Sequence, residues 1–206
     1  MDVVGSFLKE GGVMMYPLII ASVVLIALAI ERLVTLRKAS TDGELLLDEI
    51  KENYQPGGDT QKAIAICDED KSALGRMIAR GLKNAGRPAD SIEMAMEQEA
   101  ANESPTLEAN LTTIKTIVNI APLLGLLGTI AGMIGSFRSA SANGLSNPNQ
   151  ILGGISEALV ATATGITLAM LGFLFYNYFA NLSKKIQDDM EFYGAEFVNY
   201  TTGRVD

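Results

Sequence analysis

The 206-residue sequence contains no histidine, one cysteine and few charged residues over much of its length. Without histidine the chain lacks the commonest general base and metal ligand, and no Ser–His catalytic pair can form. The lone Cys67 excludes an intrachain disulfide and a cysteine-based zinc site. The formal net charge of −8 argues against nucleic acid as a partner. We therefore expect no cofactor, no metal site and no enzymatic activity.

Charged residues are absent from three stretches, residues 11–30, 116–137 and 158–183. As helices, these stretches would be about 30, 33 and 39 Å long, and the hydrocarbon core of a bilayer is about 30 Å thick. The section between the first two stretches shows no strand-like alternation of polar and apolar residues. The sequence therefore predicts an all-α polytopic membrane protein with three transmembrane helices, which excludes a soluble globular enzyme.

The first uncharged stretch has to be distinguished from a secretory signal peptide. Ala27-Leu28-Ala29 resembles a cleavage site. However, Asp2, Lys9 and Glu10 give the preceding segment no basic character. The apolar run is also longer than the 7–15 residues of the apolar region of a signal peptide. We interpret the stretch as a retained membrane anchor.

Basic residues flank the three stretches unequally. Six of them fall on one predicted side: Arg32, Arg37, Lys38, Lys115, Lys184 and Lys185. Lys9 and Arg138 fall on the other. The positive-inside rule therefore predicts a periplasmic N-terminus and a cytoplasmic C-terminus. The expected organisation is an outer segment with the first transmembrane helix in 1–36, a cytoplasmic helical section in 37–104, a long helix with the second span in 105–137, a periplasmic loop in 138–150, and the third span with a cytoplasmic extension in 151–206.

The cytoplasmic section is predicted to be helical. Short helices are expected over 43–54, 60–67, 72–85 and 89–102. Ser104-Pro105 has the N-cap and first-position signature of a further helix that runs unbroken through the second span. Beyond the third span, an apolar stripe keeps helical spacing: Leu182, Ile186, Met190, Tyr193, Phe197 and Tyr200. This stripe must pack either on the helices of its own chain or on another subunit.

Small residues recur along the second and third stretches at helical spacing. In lipid such residues permit close backbone contact and set helix interfaces. Helix packing alone would explain these small residues, but they could equally lie beside a pore. The candidates for either role are Pro122, Gly125, Gly132, Ser136, Ala158, Thr164 and Gly165.

Three polar residues are the stronger candidates for an ion pathway: Thr129, Glu157 and Thr162. A threonine in a membrane helix commonly bonds a carbonyl of its own helix, so each threonine alone has a structural explanation. A carboxylate at membrane depth costs about 2.5–3.5 kcal/mol and is a functional candidate by default, although Glu157 lies near one end of its helix and could be interfacial.

Glu157 and Arg138 are the only charged residues from 116 to 183. One carboxylate near one end cannot relay an ion across about 30 Å of bilayer. Conduction would therefore require several copies of the chain around a wet pore, or a second acidic group from a partner. The residues do not distinguish H⁺ from Na⁺.

Three runs of sequence resemble known membrane proteins. Gly11-Gly12, Met15-Tyr16-Pro17 and Ile30-Glu31-Arg32 resemble the first helix of ExbB and TolQ subunits. Residues 121–133, APLLGLLGTIAGM, and 155–165, ISEALVATATG, resemble their second and third helices. The chain as a whole resembles the MotA/TolQ/ExbB proton-channel family, in its three-span ExbB/TolQ branch.

The resemblance implies a function that the residues alone leave open. Family members form a ring of five chains around two helices of an ExbD- or TolR-like single-span partner that carries an intramembrane aspartate. Such a complex is the stator of a motor in the bacterial inner membrane. Protons that flow through it down the proton motive force would power the motor, which would deliver mechanical work to a TonB- or Pal-type periplasmic system. By position, Thr129, Glu157 and Thr162 match pore-lining residues. The alternative is a structural membrane scaffold without conduction, whose small residues only pack helices.

Overall fold

The computed structural model describes residues 11–143 and 148–204. Within these ranges the regular secondary structure is helical, and there is no strand. The helices are α1 Met15–Ala39, α2 Gly43–Asn53, α3 Gln61–Asp70, α4 Ala73–Leu82, α5 Ala89–Glu108, α6 Leu111–Asn143 and α7 Pro148–Thr202. By length and composition, three helical stretches could cross a membrane: Met15–Asn53, Ala89–Ser141 and Ile151–Thr202. The predicted all-α fold with three transmembrane-length helices is confirmed.

The helices belong to two compact units. We call the first the apolar unit; it holds the described part of Met1–Ile30 together with Asn110–Asn177. We call the second the charged unit; it holds Glu31–Ala109 and the described part of Tyr178–Asp206.

The apolar unit exposes many large apolar side chains, and its buried positions include several alanines beside a few large residues such as Leu18 and Leu25. In the most apolar window of each transmembrane-length stretch, between 17% and 28% of the residues are buried. Ala121, Ala158 and Ala161 are buried, whereas Phe137 and Leu174 are well exposed. A water-soluble unit would bury the large side chains, because burying apolar area is its main driving force. Large outward side chains and small inward ones are instead typical of helices surrounded by lipid.

The charged unit has a conventional apolar core. Asp42 and Ser72 cap α2 and α4 by accepting hydrogen bonds from the N–H groups of Leu45 and Gly75, at 3.3 and 2.9 Å. The buried core contains Ile78, Leu82, Ile92, Met96 and Phe197. Two of these helices, α2 and α4, thus begin where a capping side chain satisfies a free N–H group.

The apolar stripe at the end of α7 packs within this core. Ile186, Met190 and Phe197 are buried. A methyl group at Gly194 would meet Cε of Met77 at 2.5 Å, so α7 lies directly against α4. The stripe is therefore covered by helices of its own chain, which was one of the two predicted alternatives.

The prediction of a helix unbroken from Pro105 into the second span is wrong. Helix α5 runs through Pro105 to Glu108, and the break follows at Ala109 and Asn110. Asn110 has a left-handed backbone conformation with φ 61°, which asparagine tolerates better than most residues. Nη1 of Arg32 donates to the carbonyl oxygen of Thr106 at 2.8 Å and satisfies one of the last carbonyls of α5.

Both ends of the loop predicted over 138–150 are helical in the structure. Helix α6 continues to Asn143, and α7 starts at Pro148, a residue favoured at the first helical position. The remainder of the loop, 144–147, and the predicted outer segment, 1–10, lie outside the described residues. The side of the membrane on which each segment lies stays a prediction.

Candidate functional site

The backbones of α6 and α7 touch along the line of small residues. A methyl group at Gly165 would meet the carbonyl oxygen of Ala121 at 2.5 Å and Cα of Gly125 at 3.1 Å. A methyl group at Gly132 would meet the carbonyl oxygen of Gly154 at 2.8 Å. Because a side chain at these positions would meet the backbone of the other helix, Gly125, Gly132 and Gly165 lie at the contact between α6 and α7. Ala158, which is buried against Gly132, belongs to the same contact.

Two hydroxyl groups bridge the same contact. Oγ1 of Thr162 donates to the carbonyl oxygen of Gly125 at 2.9 Å, across to the neighbouring helix. Oγ of Ser136, a buried residue, lies 3.0 Å from the carbonyl oxygen of Gly132 and 3.2 Å from that of Ile151. Thr162 therefore departs from the own-helix bond expected of an intramembrane threonine.

The positions of Thr129, Thr164 and Pro122 can be explained within their own helices. Oγ1 of Thr129 donates to the carbonyl oxygen of Leu126 at 2.7 Å, and Oγ1 of Thr164 donates to that of Val160 at 2.8 Å. Pro122 is half-buried within α6, where it lacks the N–H that would bond a carbonyl one turn earlier.

Glu157 lies in an open groove of about 670 Å³ at one end of the α6–α7 pair. Its half-buried carboxylate rests on the backbone of Gly12 so closely that a methyl group there would overlap it. Gly12 also has φ 64°, a conformation that strains other residues. The groove is lined mainly by small residues: Gly11, Gly128, Ala131, Gly132, Gly135, Ser136, Ser139, Gly153 and Gly154.

Some of the predicted site residues line the same groove in the structure, whereas others make no hydrogen bond to one another. Glu157, Gly132 and Ser136 line one groove. Within the described ranges no hydrogen bond joins Thr129, Glu157 and Thr162 to one another. Gly12 was missed as a site residue; the Gly11-Gly12 pair was visible, but nothing in its spacing predicted contact with a carboxylate far along the chain.

Comparison with known proteins gives consistent matches. Residues 69–192 match the MotA/TolQ/ExbB proton channel family. An ExbB-like protein of Synechocystis sp. is 33% identical over 177 residues, which are 84% of this chain and 82% of that protein. The biopolymer transport protein ExbB of Xanthomonas campestris pv. campestris is 30% identical over 95 residues, 46% of this chain and 38% of its own length. The Tol-Pal system protein TolQ of Pseudomonas aeruginosa is 32% identical over 97 residues, 47% of this chain and 42% of its own length.

Proposed function

Since the chain belongs to the MotA/TolQ/ExbB proton channel family, we propose that it is an ion-conducting stator subunit of an energy-transducing motor. The motor would lie in a bacterial inner membrane and convert the proton motive force into mechanical work. One elementary charge crossing 100 mV carries about 2.3 kcal/mol, so a few ions per step could move packed helices. The chain would act in transport rather than as an enzyme.

Glu157 is the observation that carries this proposal. It is the only carboxylate among residues 116–183, and its side chain occupies a groove rather than the outer, lipid-facing surface. A purely structural contact between small residues gains nothing from a carboxylate, which is costly at membrane depth. An ion-binding group at the entrance of a pathway accounts for it.

We propose that Thr129, Glu157 and Thr162 line the pathway in a homopentameric ring. The hydroxyls of Thr129 and Thr162 supply polar oxygen atoms along α6 and α7. Because one carboxylate near one end cannot relay a proton across about 30 Å, an ExbD- or TolR-like single-span partner supplies an intramembrane aspartate. The N-terminus is periplasmic, the C-terminus is cytoplasmic, and the work goes to a TonB- or Pal-type periplasmic system.

The test measures proton flux through the chain and its partner in liposomes. The complex is reconstituted around a pH-sensitive dye, and a potassium diffusion potential drives the ions. We expect Glu157→Gln to lower the flux about tenfold or more, because it removes a charged group whose hydrogen bonds are worth about 1.5–3 kcal/mol. Thr162→Val removes a neutral hydroxyl worth about 0.5–1.5 kcal/mol and should lower the flux about two- to tenfold. Thr162→Ser keeps the hydroxyl and should conduct normally.

Thr167→Val is the matched control. Thr167 lies on α7 and is exposed, and its hydroxyl donates to the carbonyl oxygen of Ala163 on its own helix at 2.8 Å. Its loss should leave the flux unchanged, and the mass of the purified complex verifies assembly in every variant. Normal flux in both Glu157→Gln and Thr162→Val would reject these residues as pathway groups. Absence of flux in the parent complex would reject conduction.

A structural membrane scaffold is the second candidate. The contact of Gly165 with the backbone of Ala121 favours it, since close packing alone accounts for the small residues of α6 and α7. A neighbouring reading frame that encodes one transmembrane helix with a single aspartate would favour the channel. A scaffold would also tolerate Glu157→Gln without loss of function.

A further inference from the structure

A second groove, of about 550 Å³, lies in the charged unit and shares no residue with the proposed ion pathway. One wall is a single face of α7, formed by Tyr178, Leu182, Lys185, Asp189 and Tyr193. The other wall is the end of α1 and the start of α2, formed by Arg37, Ser40, Thr41, Asp42 and Gly43.

The chemistry of the α7 wall changes in a fixed order along the helix. Leu182 belongs to the uncharged stretch 158–183, so this end of the groove adjoins the predicted membrane. Lys185 follows, and Asp189 lies about 6 Å further along the axis at about 1.5 Å per residue. The order away from the membrane is therefore apolar, basic and acidic.

The opposite wall repeats the basic and acidic parts of this order. Gly43 lies against the ring of Tyr193, which marks the end of the groove away from the membrane. Arg37 and Asp42 precede Gly43 in the chain, with the basic residue further from it. Each wall therefore offers a cation first and a carboxylate second.

These charges do not neutralise one another. Among the described residues, no ion pair within 4.0 Å involves Arg37, Lys185 or Asp189. Asp42 accepts one hydrogen bond, from the N–H of Leu45. Burial raises the pKa of the Tyr193 hydroxyl, and nearby carboxylates that include Asp189 raise it further, so this end of the groove is electronegative.

We propose that this groove binds the headgroup of an aminophospholipid, phosphatidylethanolamine, from the adjoining leaflet. Its phosphate lies between Arg37 and Lys185. Its ammonium group, two carbon atoms further on, lies between Asp42 and Asp189. The order of the lipid from acyl chains to phosphate to ammonium is the order of the α7 wall, and the opposite wall repeats its basic and acidic layers. Charge-assisted hydrogen bonds are the strong ones.

The acidic layer sets the preference among lipids. Phosphatidylglycerol carries the phosphate but no cation, so its headgroup would leave Asp42 and Asp189 facing uncharged hydroxyls. Phosphatidylcholine carries a cation but has no N–H to donate to a carboxylate. A lone inorganic phosphate would meet the carboxylates as like charges and be disfavoured.

The test is native mass spectrometry of the full-length chain in a non-ionic detergent with equal amounts of phosphatidylethanolamine, phosphatidylcholine and phosphatidylglycerol. We expect phosphatidylethanolamine to bind about tenfold more tightly than either of the others, the effect of one charged hydrogen bond. The double variant Arg37→Gln/Lys185→Gln should weaken binding of phosphatidylethanolamine and phosphatidylglycerol about tenfold or more. Asp189→Asn should weaken phosphatidylethanolamine alone.

The chain supplies matched controls one residue away. Lys38→Gln/Lys184→Gln and Asp188→Asn remove the same charges from exposed positions that do not line the groove, and they should bind lipid as the parent does. The proposal is wrong if variants and controls bind alike, or if the parent binds phosphatidylglycerol as tightly as phosphatidylethanolamine. Because the readout involves no ion flux, its failure is distinct from failure of the proposed channel function.

Discussion

Replacing Gly165 by alanine should separate α6 from α7 locally and destabilise the apolar unit. The new methyl group would meet the carbonyl oxygen of Ala121 at 2.5 Å and Cα of Gly125 at 3.1 Å. Both contacts are with backbone, so no side-chain rotation can relieve them. Ordinary contact begins at 3.4 Å, and the helices must therefore part by about 0.9 Å at this point.

The size of the effect follows from two opposing terms. Overpacking a tight contact costs about 1–3 kcal/mol, whereas alanine in place of glycine favours a helix by about 0.5–1 kcal/mol. We expect a net loss of about 1–2 kcal/mol for Gly165→Ala. The loss should be smaller for Gly132→Ala and smallest for Gly125→Ala, whose nearest contacts are 2.8 and 3.0 Å.

The assay is reversible unfolding of the purified chain in mixed micelles, titrated with SDS and followed by circular dichroism. Gly135 on α6 and Gly153 on α7 are matched controls, since a methyl group at either position has no neighbour within 4 Å. Alanine at these positions should stabilise the chain by about 0.5–1 kcal/mol. A Gly165→Ala variant as stable as Gly153→Ala would refute the argument that backbone contact sets the spacing of the helices.

Two further predictions concern the charged unit. Arg32→Ala removes the hydrogen bond to the carbonyl oxygen of Thr106 and should lower the free energy of unfolding by about 1–3 kcal/mol, with faster amide exchange over 103–109 by mass spectrometry; an equal loss in the exposed Lys38→Ala control would contradict this. Burial, with nearby Asp70 and Asp68, raises the pKa of Cys67 to about 12, so its alkylation at pH 8 should be roughly a thousandfold slower in the folded than in the denatured chain. Because the thiol ionises at lower pH in the unfolded chain, the contribution of Cys67 to the free energy of unfolding is complete below pH 9 and is lost towards pH 12. Cys67→Ala should therefore lose less stability between pH 9 and pH 12 than the parent, and an unchanged dependence of stability on pH would contradict this prediction.

The features that could be predicted from the sequence depend on composition and local spacing. Uncharged stretches long enough to cross a bilayer identify the three transmembrane-length helices, because lipid excludes charge whatever the tertiary contacts. Two short helices of the charged unit, α2 and α4, begin near the predicted positions because of local signals. Asp42 and Ser72 cap their helices through bonds that span only three residues.

The features that sequence analysis missed depend on contacts between distant residues. The helix break at Asn110 follows the end of α5, where Arg32 donates to the carbonyl oxygen of Thr106, 74 positions later in the chain. No local signal at Ser104-Pro105 could indicate this long-range contact. Thr162 has an acceptor on its own helix within reach in principle, but close packing brings the carbonyl oxygen of Gly125 within 2.9 Å. The contact between Glu157 and Gly12 likewise requires the folded apolar unit.

The hydrogen atoms of the Thr129 and Thr162 hydroxyls are both engaged, which limits what these side chains could offer to an ion in the proposed pathway. A threonine hydroxyl has one hydrogen, and in each case a backbone carbonyl oxygen holds it, at 2.7 and 2.9 Å. Both side chains can therefore offer only oxygen lone pairs to a passing species. Such groups solvate a cation and repel an anion, and neither can hand on a proton along a hydrogen-bonded wire without first releasing its carbonyl. In the proposed pathway, a water molecule or a hydronium ion would therefore have to carry a proton between them.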